Sequence, residues 1–118
     1  MKIEKIRELL DADVICNEER LGNHVYSACG SDMMSDVLAY VKDQAVLLTG
    51  LVNAQVVRTA EMMDMVCIVF VRSKMPTPEM IELARESGIV LLATKRRMYE
   101  ACGLLYSNGL VGNKVKNV

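Results

Sequence analysis

Tryptophan is absent from this sequence, phenylalanine and histidine occur once each, and only two prolines interrupt its 118 residues. The lone imidazole, His24, falls short of a zinc ligand set and has no visible place in a nucleophilic triad. Cys16, Cys29, Cys67 and Cys102 form no Cys-x-x-Cys pair, so they read as reduced packing residues rather than a disulfide framework or a metal site. No apolar run reaches the length of a membrane span. The amino terminus, MKIEKIRELLDAD, lacks the apolar block of a signal peptide. Charge of one sign is also missing: the formal net charge is −1, so neither nucleic acid nor an anionic membrane is expected as a partner. The expected compartment is the cytoplasm, without metal or cofactor.

What the chain does have is a set of continuous apolar runs, "AVLLT", "VCIVFV" and "IVLLA". Strands of this kind suit a parallel sheet covered on both faces. Between them lie helices with clear punctuation. Asn53 offers a cap to one, and Thr77-Pro78-Glu79 is a cap, a proline at the first helical position and an acid in the first turn of the next. Gly88 closes that helix, and "RRMYEACGLLYSNG" supplies a last one closed by Gly109. Ile3, Ile6, Leu9 and Leu10 give the amino terminus helical spacing, "DVIC" reads as a short strand, and "HVYSAC" holds a second. Ser31 and Asp32 offer caps for a helix through Val37, Leu38 and Val41. The fold class expected is α/β: a three-layer, open, mainly parallel sheet with helices on both faces. One domain fills residues 1–110, and 111–118 is a flexible tail.

Right-handed crossovers bring the carboxyl ends of parallel strands to one edge, where open α/β sheets bind ligands. That edge collects Gly30, Ser31 and Asp32, then Thr49, Gly50 and Asn53, then Arg72 and Lys74, then Thr94, Lys95, Arg96 and Arg97. Helix amino termini with free N–H groups suit an anion there. "TGLVN" matches neither a phosphate-loop nor a dinucleotide fingerprint, and turn geometry alone explains Gly50. Basic residues at a helix start oppose its dipole, a conflict that an anionic ligand or an acidic partner relieves. Asp32 and Asp36 fall four apart, as do Ser31 and Ser35, which on a helix puts both carboxylates on one face. Such a pair suits Mg²⁺ with a phosphate, or capping and solubility alone. No catalytic constellation is evident.

The order of elements, with a strand ending Thr49-Gly50, a Pro78 helix start, "LARESGIVLLAT" and "MYEACGLLY", resembles the DRTGG domain family. These are small α/β modules found beside CBS domains and in phosphotransacetylases, similar in fold to the amino-terminal domain of HPr kinase/phosphatase. The resemblance spans residues 1–110 and is nearest to short, single-domain bacterial members with an "SDxxSDV" segment, here 31–37. Thr49, Gly50, Pro78, Gly88 and Thr94 carry over. The chain departs where the fullest motif has Thr-Gly-Asp-Arg, here Thr49-Gly50-Leu51-Val52, and Thr-Gly-Gly, here Val71-Arg72-Ser73. The resemblance implies a regulatory or ligand-sensing module, often dimeric, without established catalysis. A small anionic metabolite or nucleotide at the carboxyl edge is the leading expectation, a protein-binding adaptor contacting a nearby kinase, phosphatase or metabolic enzyme the second, and Mg-dependent phosphoryl chemistry the third. A homodimer is expected from the high apolar content, with some of Met33, Met34, Met62, Met63 and Met65 at its interface.

Overall fold

A computed structural model describes residues 1–41 and 44–112, except for the side chain of Tyr40. Of the tail expected at 111–118, residues 113–118 lie outside that range. The chain runs through α1 (Ile3–Leu10), β1 (Asp13–Cys16), a 3-10 turn (Glu18–Arg20), β2 (Ser27–Gly30), α2 (Met34–Tyr40) and β3 (Ala45–Thr49). It continues through α3 (Ala54–Met62), β4 (Cys67–Phe70), α4 (Pro78–Ser87), β5 (Val90–Ala93) and α5 (Met98–Ser107).

The strands form one sheet in the order β1-β5-β4-β3-β2. β2 to β5 are parallel, with Cys29 beside Leu47, Leu47 beside Ile68 and Ile68 beside Leu91. β1 joins antiparallel to β5, with an irregularity between Val14 and Cys16. Every residue of β3, β4 and β5 is buried, as their unbroken apolar runs require, while the edge strands β1 and β2 are only partly covered.

Alternate residues of the strands point to opposite faces. Val46, Leu48, Cys67, Val69, Val90 and Leu92 pack with α1 and α5, through Ile3, Ile6, Leu10, Ala101 and Leu105. Leu47, Ile68, Phe70 and Leu91 pack with α2, α3 and α4, through Val37, Val56, Val57, Met80 and Ala84. The result is the three-layer α/β architecture expected. Cys16 and Cys67 are buried, and burial raises the pKa of all four thiols, which are unpaired.

The helix signals hold with two exceptions. Asn53 accepts the Val56 N–H (3.3 Å) and Thr77 the Met80 N–H (3.3 Å), and Gly88 ends α4 in the left-handed region at φ 73°. α5 stops at Ser107, capped by Asn108, with Gly109 following at φ 101°. The caps expected from Ser31 and Asp32 do not form. α2 begins at Met34, Met33 takes the capping position, and no side chain caps it. Asp32 is therefore outside the helix, and it shares no helical face with Asp36. No helix among the described residues is long and apolar enough to cross a membrane.

Candidate functional site

Four loops meet at the carboxyl edge of the parallel strands. In the first, the Ser31 N–H donates to Leu48 O (3.0 Å) and the Ser31 hydroxyl accepts the Met33 N–H (3.0 Å), which fixes the turn after β2. Asp32 is thereby aimed across the edge. Its Oδ1 accepts the Gly50 N–H at 2.6 Å and the Thr49 hydroxyl at 3.0 Å, and Arg72 Nη2 lies 3.7 Å from Oδ2. These charge-assisted contacts outcompete helix capping, which is why the expected cap fails. The Gly50 N–H above all, then the Thr49 hydroxyl and the Arg72 guanidinium, hold the Asp32 carboxyl below its usual range. Thr49 is fully buried, and its oxygen also accepts the Leu51 N–H (3.1 Å).

Gly50 lets the Arg72 guanidinium lie directly against the backbone. A β-carbon there would stand 2.5–2.8 Å from the Arg72 guanidinium.

The third and fourth loops are stitched together. Arg72 and Ser73 adopt φ of 50° and 61°, a left-handed pair in a backbone region that favours glycine. Their N–H groups donate to Arg96 O (2.8 Å) and Thr94 O (3.0 Å). The buried Thr94 hydroxyl donates to Leu10 O (2.7 Å) at the end of α1 and accepts the Arg96 N–H (3.2 Å). Thr49 and Thr94 thus spend their hydroxyls on the loops themselves. Arg96 reaches Glu100 at 3.8 Å, whereas Lys74, Lys95 and Arg97 have no ion-pair partner among the described residues.

Between these loops and α1 lies a cavity of about 450 Å³, with Lys95, Arg96, Ser73 and Met75 on one side and Leu10, Asp11 and Asp13 on the other. Its position has a topological cause. The β4 loop leads to α4 on one face and the β5 loop to α5 on the opposite face, and adjacent strands whose connections part in this way open a crevice. A larger groove of about 650 Å³ opens at the opposite edge, near Arg20, Glu61, Asp64 and Gly88. Helix carboxyl ends border that groove, and their dipoles disfavour an anion.

The residues read from the sequence therefore form two groups: Ser31, Asp32, Thr49, Gly50 and Arg72 on one side, and Thr94, Lys95 and Arg96 at the cavity. Asn53 is occupied as a cap, and Lys74 and Arg97 are exposed on the flanking loops. Asp11, Asp13, Ser73 and Met75 were not legible as site residues. The place of Asp11 and Asp13 depends on β1 lying antiparallel beside β5, a pairing that no local pattern announces, whereas Ser73 and Met75 come with the β4 loop.

Neither a protein-family model nor a curated protein matches the chain. Among solved structures, it is similar to the CBS and DRTGG domains of the regulatory region of Clostridium perfringens pyrophosphatase, solved with the activator diadenosine tetraphosphate. The TM-score is 0.71 at 19% identity, over 88% of this chain and 45% of the other. The chain thus spans less than half the length of that neighbour. In fold, it is a DRTGG-like α/β domain.

Proposed function

We propose that the domain is a cytoplasmic, non-enzymatic regulatory module that senses a small anionic metabolite or nucleotide at the carboxyl edge of its sheet. One observation carries this reading: Lys95 and Arg96 line a cavity at the β4/β5 crevice opposite Asp11 and Asp13, and Lys74 and Arg97, exposed and unpaired among the described residues, tip the charge of the same edge towards positive. The solved neighbour, a regulatory region in complex with a nucleotide activator, supports ligand sensing and suggests the first compounds to try.

The test is a thermal shift screen against nucleotides, acyl phosphates, sugar phosphates and Mg²⁺ at fixed ionic strength. A ligand at about a hundred times its dissociation constant adds about 2.7 kcal/mol, or several degrees in a domain of this size. The double variant Lys95→Glu, Arg96→Glu is expected to abolish the shift, and an unchanged response would place the ligand elsewhere.

A second reading, a protein-binding or self-associating surface, draws on Met33 and Met62, which are 59% and 69% exposed. Of the other methionines named above, Met65 is buried and Met34 and Met63 are half-buried. Sedimentation at micromolar concentration tests the homodimer, and a single monomeric species would reject it. A flat ligand screen would favour an adaptor.

A further inference from the structure

The Thr49-Gly50 turn already holds a carboxylate. We propose that this turn, together with Arg72, is an oxyanion site kept occupied by Asp32, and that a ligand carboxylate or phosphate binds there by displacing Asp32. The inference rests on the reading of the carboxyl edge as anion-binding, and it adds a second subsite and a means of signalling.

The donor set is that of an anion cradle. A backbone N–H from Gly50, a hydroxyl from Thr49 and a guanidinium from Arg72 converge on one carboxylate. The donors come from the ends of β3 and β4, while the acceptor comes from the loop after β2, so acceptor and cradle can part without breaking the sheet. The Asp32 side chain is 51% exposed and that of Arg72 48%, which leaves the site open to water. Arg72 is also under-committed: 3.7 Å is a loose ion pair, and its guanidinium is laid over Gly50, in the space a β-carbon there would take. An incoming oxyanion has room to shorten that contact.

Displacement has a built-in readout. Asp32 is next to Met33, and two residues from the start of α2, a helix of two turns that carries the exposed Leu38. Releasing Asp32 breaks the side-chain hydrogen bonds from the 31–33 turn to the end of β3 and leaves the Ser31 N–H to Leu48 O bond to hold it, so occupancy of the cradle loosens the turn that carries the exposed Met33 and leads to Leu38. Asp32 acts as a competitor in cis, and external affinity is reduced by the fraction of time it holds the site.

The test is an NMR titration of the wild type, Asp32→Asn and Asp32→Ala, with inorganic phosphate in one arm and acetate in the other at constant ionic strength. Asp32→Ala is expected to bind the preferred oxyanion at least about tenfold more tightly than the wild type, with Asp32→Asn between them. The Gly50 amide proton, deshielded by its short bond to Asp32, should move upfield in Asp32→Ala and return downfield on saturation. Asp32→Asn keeps an acceptor for that N–H and remains testable if Asp32→Ala does not fold. The same Gly50 response in a Lys95→Glu, Arg96→Glu background would show that the cradle is separate from the cavity. Equal affinities in all three proteins with a silent Gly50 amide would overturn the role of Asp32 and leave an anion site at the cavity standing. No binding in any of the three would reject both.

Discussion

Arg72 and Ser73 occupy a backbone region where a β-carbon costs roughly 1–2 kcal/mol per residue. The chain accepts the strain here and gains a guanidinium at the edge. Alanine normally stabilises a chain relative to glycine, but at Ser73 the order should invert. Ser73→Gly is expected to be more stable than Ser73→Ala by about 1 kcal/mol in urea denaturation, and an alanine variant of equal or greater stability would contradict the left-handed assignment. Asp32 gives a second expectation. Its carboxyl titrates lower in the folded chain than the ordinary 3.8, chiefly because of the Gly50 N–H and with help from Arg72, the cation facing it. The folded state therefore binds fewer protons at this group. Its contribution to stability is complete above the unfolded value and disappears as pH falls through the folded one. The stability difference between wild type and Asp32→Asn should be constant from about pH 7 to about pH 5 and shrink below about pH 4. At this scale the sequence was only partly legible. The residue types at the edge were visible, but Asp32 has a cap position and a cross-strand carboxylate site in competition, and only the assembled sheet decides between them.

The elements were far more legible, because β3, β4 and β5 are buried on both faces and bear no polar residue until Thr49 and Thr94 at their ends. Thr77 and Gly88 bound α4 as their chemistry requires. Asn17 gave no such signal. Its side-chain amide donates to Ala84 O (2.9 Å) and Ile89 O (2.7 Å), tying the end of β1 to the end of α4 and the start of β5. Its own φ is 60°, a conformation asparagine tolerates better than most residues. Asn17→Ala removes both bonds and strains the backbone, so a loss of about 2 kcal/mol is expected, against about 1 kcal/mol for Thr77→Ala, which removes a local cap. Thermal melts of the two variants side by side would check the order. Contacts more than sixty residues apart leave no periodicity to read, which is why this one was missed.

For the whole molecule, the strand order follows a simple rule after β1: each new parallel strand is laid beside the last, from β2 to β5. The amino-terminal segment then returns to the far edge, where β1 pairs with β5 and α1 lies with α5 on one face. This closure could not be read locally, since "DVIC" as a four-residue strand fits any exposed edge. It also places Leu10 and Asp11 in the wall of the cavity and ties Leu10 O to the Thr94 hydroxyl. A molecule bound in that cavity would therefore hold the first sixteen residues down, and by reciprocity anything that loosens them would weaken its grip. In hydrogen exchange, the amides of β1 should become slower under saturating ligand while those at the β2 edge do not. The domain would then behave less like a receptor with one moving loop than like a clasp whose tongue is its own beginning.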